Sequence, residues 1–134
     1  KMKDIKIKIG TAVPMDDEIS LTIKGRDFMS GLPRTAVITS NEIVKALENE
    51  LRVIIKAIKE VLQETPPELS ADIIDQGITM TGGSSMLRNM PELVFRKTGV
   101  KAVLAEDALF CVVKGTGVAL DHLDVYKRSI ISKR

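Results

Sequence analysis

The sequence predicts an α/β protein leaning towards α+β, in which a small hairpin-plus-helix unit precedes a β-α-β-α section. Three observations carry that reading. Two alternating apolar runs, residues 18–28 and 34–39, flank the turn-forming segment M-S-G-L-P, the pattern of a β-hairpin. A helical periodicity then opens on the capping signal T-S-N-E at residues 39–42. Finally, I-T-M-T-G-G-S-S-M-L-R at residues 78–88 reads as a buried strand, a glycine turn and the first turn of a helix, and a second strand and helix follow it.

Composition bounds the rest. Of 134 residues 44% are hydrophobic but only 3% aromatic, so the core must be built from Ile, Leu, Val and Met. A chain of this size buries roughly two-thirds of its unfolded surface. Twenty basic and 18 acidic residues leave a net charge of +2. With no basic bias and few aromatics for base stacking, a nucleic-acid partner is excluded. The single cysteine, Cys111, has no internal partner, and no Cys/His cluster has metal-ligand spacing, which points to a reducing, cytoplasmic setting. No stretch resembles a signal peptide or a membrane span. The chain begins without Met in already patterned sequence, as part of a longer protein would.

The elements follow in order. Ile5, Ile7 and Ile9 alternate with Lys6 and Lys8, which by period alone predicts a short strand stopped by Gly10. Residues 11–17, with Pro14, Asp16 and Asp17, read as a loop. After the hairpin, Thr39 caps a long helix and Glu42 reaches back to it. Leu47, Leu51, Ile54, Ile58 and Leu62 form its apolar stripe, and the helix ends before Pro66. T-P-P-E places Thr65 as the next N-cap, with Leu69, Ile73 and Ile74 facing inward and Gly77 as the stop. After the glycine turn, a helix from residues 89–92 to Thr98 is closed by Gly99, and residues 100–104 form a second buried strand. Asp107 opens a last helix from Ala108 to Leu123, with Leu109, Val112, Val113 and Leu120 on its apolar side. Gly115 and Gly117 each cost that helix about 1 kcal/mol relative to alanine, a cost explained by close approach of neighbouring backbone. Lys127, Arg128, Lys133 and Arg134 mark a basic, frayed tail.

The glycine turn is the best candidate for chemistry. Gly82 and Gly83 let backbone approach a ligand closely, and unpaired N–H groups at a helix start suit an anion. The competing reading is a plain structural turn. The other polar residues read as structural: Cys111 as a small buried hydrophobe, His122 as a surface residue near a helix end, Asp16, Asp17 and Glu18 as a solvated loop, and Asp72 and Asp75 as an exposed helix face.

Taken together, G-R-D-F-M-S-G-L-P-R, E-T-P-P-E-L-S-A-D-I-I-D-Q-G-I-T-M-T-G-G, L-R-N-M and C-V-V-K-G-T-G-V-A-L resemble MreB, the bacterial actin homologue. The similarity runs over residues 3–123 and concerns the C-terminal part of that family only. It implies the later part of the second lobe of an actin-like ATPase fold. Residues 1–65 would be the smaller subdomain, 66–124 a section of the larger nucleotide-facing one, and 125–134 the tail. It further implies ATP or ADP as cofactor, with Mg2+ held by groups upstream, filaments under the cytoplasmic membrane, and work with cell-wall morphogenesis proteins. Other actin-fold ATPases, chaperone-like or sugar-kinase-like, are the alternative; G-L-P-R and T-P-P-E-L favour MreB.

Carried over by position, Gly82, Gly83 and Ser84 form the adenosine-facing turn, and Ser85, Met86, Leu87 and Arg88 continue the contact. Ile5, Lys6, Ile7 and Lys8 form the second contacting segment, at the end of a helix rather than in a strand. Three departures stand out. Ser84 replaces a third glycine, Lys3 and Lys8 stand where family members tend to carry glutamates, and Ala108 replaces a proline. The family's phosphate loops, magnesium-binding aspartates and catalytic glutamate have no counterpart in the chain, so it is expected to be inactive alone.

Overall fold

Capping and turn chemistry set the first half of the molecule. The computed structural model describes the backbone of residues 2–130 and the side chains of residues 3–127, so the basic tail side chains expected at Arg128, Lys133 and Arg134 lie outside it. Strands β1 (Ser20–Arg26) and β2 (Pro33–Thr39) pair antiparallel, Ser20 opposite Thr39 and Arg26 opposite Pro33. Asp27 builds their connection. Its carboxylate accepts the N–H groups of Ser30 and Met29 at 2.8 and 3.1 Å and pairs with Arg34 at 3.0 Å. The Ser30 N–H, then the Arg34 guanidinium and the Ser30 hydroxyl, hold the Asp27 carboxyl below its ordinary pKa.

Helix α2 (Ser40–Glu64) begins on the expected capping box. Thr39 Oγ1 accepts the Glu42 N–H at 3.3 Å, while Glu42 accepts the Thr39 N–H at 2.8 Å. Its inward stripe differs from expectation by one residue. Leu51 and Ile55 are buried, with Leu47 and Ile58 packed beside them, whereas Ile54 is 41% exposed. Two adjacent isoleucines leave the helix phase open. The partners Ala12, Val13, Leu93 and Val94 select Ile55.

Thr65 ends α2 instead of opening the next helix: its hydroxyl donates back to the Val61 carbonyl at 2.6 Å. Helix α3 (Pro67–Gln76) has Pro66 at its N-cap. It buries no residue, and Leu69 and Ile74 are exposed rather than inward, with Ile73 half-buried. Gly77 closes it at φ +80, where a Cβ would stand 2.7 Å from the Lys101 carbonyl oxygen. Strand β3 (Ile78–Met80) then runs parallel to β4 (Ala102–Leu104), joined by α4 (Met90–Thr98) and the left-handed stop at Gly99. The shared core, Ala12, Val13, Leu51, Ile55, Met90, Leu93, Val94 and Ala102, lies between α2, α4 and β4.

Further expectations are corrected. The N-terminal segment is a helix, α1 (Met2–Ile9), not the strand that alternation predicts: Ile5 and Ile9, four apart, are buried, and Ile7 between them is 68% exposed. The last helix starts later, as α5 (Cys111–Asp121), because Asp107 takes a left-handed φ of +51 and the Phe110 N–H bonds its carbonyl at 2.7 Å in a turn. Lys114 pairs with Asp107 across that turn. Cys111 is half-buried there, and His122 is the exposed C-cap.

A second helix, α6 (Leu123–Ile130), occupies the start of the segment read as a frayed tail. Helix α5 buries no residue: Leu109 before it and Val112, Val113 and Leu120 on it are exposed. A Cβ at Gly115 or Gly117 would meet nothing within 4 Å, so no close backbone approach explains those glycines among the described residues. None of the helices is long and apolar enough to cross a membrane among the described residues.

Candidate nucleotide-binding site

The glycine turn leaves β3 and doubles back at once. Gly82 adopts φ +87, a conformation that favours glycine, and its N–H donates to the Ala108 carbonyl at 2.7 Å. A Cβ at Gly82 would meet no atom within 4 Å, so the outer side of the turn is open, while one at Gly83 would approach the Leu109 side chain at 3.3 Å. The turn leads into a single 3-10 turn, Gly83–Met86, not the α-helix expected, and the Leu87 N–H closes it on the Ser84 carbonyl at 3.2 Å. A 3-10 turn this short sums few peptide dipoles. The turn therefore offers a phosphate group little of the attraction that a full helix N-terminus would. Ser85 does not point to a ligand: its hydroxyl donates to the Gly82 carbonyl at 2.6 Å. Ser84, Met86 and Arg88 are exposed, and Leu87 packs against the core.

The second candidate segment reaches the same place from the other end of the chain. Lys6 and Lys8 are exposed on α1, and the Lys6 carbonyl accepts the Gly10 N–H at 2.9 Å. Gly10 is where the segments touch. A Cβ there would stand 2.2 Å from the Lys6 oxygen and 3.0 Å from Leu87 Cδ1. Thr11 and Arg88 then form a parallel bridge, with the Ala12 N–H on the Arg88 carbonyl at 2.8 Å. Ile5 and Ile9 anchor α1 by burial, and Gly10 and Thr11 bring the end of that segment beside Leu87 and Arg88.

The surface is open at Gly82. Two shallow depressions, of about 380 and 360 Å3, lie elsewhere, one against Phe95 and Ala102 and the other against Leu62 and Thr98. No three His, Cys, Asp or Glu side chains stand close enough to hold a metal ion among the described residues. Sequence reasoning missed Thr11 and Asn89, which join the segments: Asn89 Nδ2 donates to Thr11 Oγ1 at 3.0 Å. The only signal was a lone polar residue in the run G-T-A-V-P.

A hairpin and long helix followed by a parallel β-α-β unit with a glycine turn at its first strand end define a section of an actin-like fold. Crystal structures of MreB5 of Spiroplasma citri superpose on the chain. The form bound to ADP does so with a TM-score of 0.83 at 39% identity, covering 90% of this chain and 37% of that one. The form bound to AMPPNP has the same TM-score at 36% identity, covering 96% and 39%. The MreB/Mbl protein family model matches residues 1–128, and the chain belongs to that family. Among curated relatives, the cell shape-determining protein Mbl of Bacillus subtilis is 46% identical over 122 residues, 91% of this chain. The cell shape-determining protein MreB of Escherichia coli K12 is 40% identical over 129 residues, 96% of this chain. The chain spans 37% of the length of either relative.

Proposed function

We propose that the chain supplies the adenosine side of an ATP pocket in an actin-like filament protein of cell-shape determination. The observation that carries this reading is the junction at Gly10, where two segments far apart in sequence meet beside an open glycine turn. The nucleotide-bound state of the similar MreB5 structures supports it. In the assembled protein, filaments would form at the inner face of the cell membrane and act with cell-wall morphogenesis proteins, the phosphates and Mg2+ being held by groups outside this chain.

Half a pocket binds weakly. Titrating the chain with ATP is expected to shift the amide resonances of residues 5–8 and 82–88 with a Kd no tighter than about 1 mM, on the order of −4 kcal/mol. Micromolar binding would mean that the phosphate side is present after all, and shifts confined to other residues would refute the assigned surface. Phosphate release from MgATP is expected to stay at the uncatalysed rate, because transfer needs metal, phosphates and water held together. Magnesium-dependent turnover above background would overturn that expectation.

A further inference from the structure

Thr11 is fully buried. Its hydroxyl donates to the Val13 carbonyl at 2.9 Å and accepts Asn89 Nδ2–H at 3.0 Å. Asn89 holds a left-handed backbone, φ +60 and ψ 17, and stands at the N-cap of α4 without capping it. Asparagine is among the best N-caps, and its side chain is diverted here to a residue 78 positions away. Thr11 follows Gly10, at the end of the α1 segment, and Asn89 follows Arg88, at the end of the glycine-turn segment. The hydrogen bond therefore ties the two segments directly behind the candidate surface, next to the backbone bond from Ala12 to Arg88.

We propose that Thr11 and Asn89 are positioning residues for the nucleotide site, a clasp that fixes the separation of the α1 segment and the glycine turn. The assignment rests on the pocket reading above. Neither side chain touches the ligand. Both act through Gly10 and Leu87, where a Cβ added to Gly10 would stand 3.0 Å from Leu87 Cδ1. With the clasp intact, a base inserted between the segments meets two walls already set at one spacing. With it open, each wall binds for itself.

Thr11→Val keeps the shape and removes the hydroxyl, leaving a part-buried amide N–H of Asn89 without its acceptor, whereas Thr11→Ser keeps the bond. In Thr11→Val, amide hydrogen exchange at residues 6–9 and 84–88 is expected to rise together by about tenfold, the usual scale for one buried hydrogen bond lost with its partner unsatisfied. The hairpin strands should exchange as before, and Thr11→Ser should restore the parent rates. In the ATP titration, residues 5–8 and 82–88 of the parent chain should follow one Kd. In Thr11→Val they should follow two, each weaker than the parent value. Unchanged exchange, an equal rise along the whole chain, or a single unaltered Kd in Thr11→Val would each overturn the clasp. If the parent shows no shifts at all, the pocket reading falls and the positioning role falls with it; shifts in the parent with unchanged exchange in the variant would sink the clasp alone.

Discussion

Ile55→Ala is expected to destabilise the chain by about 2–5 kcal/mol, and Ile54→Ala by about 1 kcal/mol or less. The two residues are chemically identical neighbours on α2, so propensity effects cancel between the variants and burial alone separates them. Ile55 is 7% exposed and sits in the core with Leu51, Val94 and Ala102, where truncation leaves a cavity. Ile54 is 41% exposed and already half in water. Urea unfolding of both variants, with slopes compared to the parent, checks the ordering. Equal costs, or a larger cost at Ile54, would mean that α2 is rotated relative to its described position.

Gly10→Ala should cost about 2–3 kcal/mol, against the usual direction for a glycine next to a helix. Extending α1 with alanine would gain about 1 kcal/mol from helix propensity. The new Cβ, however, would stand 2.2 Å from the Lys6 carbonyl oxygen, a backbone atom that cannot turn aside as a side chain can. Moving the helix end to make room breaks the 2.9 Å bond from Gly10 to Lys6 or drives α1 away from Leu87. The clash outweighs the propensity. Thermal unfolding reads the loss directly, and a variant as stable as the parent would show that the junction is looser than described.

Much of the fold is legible in the sequence where short-range chemistry decides it. The capping box at Thr39 and Glu42, the hairpin around Gly31, and the stops at Gly77 and Gly99 each rest on residues within a few positions of one another. Legibility fails where distant partners decide. In D-I-K-I-K-I at residues 4–9 the period of two and the four-residue repeat of Ile5 and Ile9 fit equally well, and the burial of Ile5 and Ile9 together chooses the helix. Thr65 fits both as the end of one helix and as the start of another. The apolar residues of α5 carry the pattern of a buried helix, yet nothing among the described residues covers them. At the candidate site the glycines were readable from their conformational freedom. Thr11 and Asn89 were not, because a threonine and an asparagine announce no partner 78 residues away.

That separation bears on the order in which the molecule assembles. The hairpin and α2 are made of near neighbours and can form as soon as residues 18–64 are free to fold. The bridge of Thr11 to Arg88 must instead close a loop of 77 residues, a larger loss of chain entropy than any local turn incurs. The surface beside Gly10 thus exists only after both ends of that loop have met. A chain still growing on the ribosome, or cut anywhere before Arg88, has the first of the two proposed walls and no second, so nucleotide contact at the proposed site is expected only once residues 11 and 88 have met.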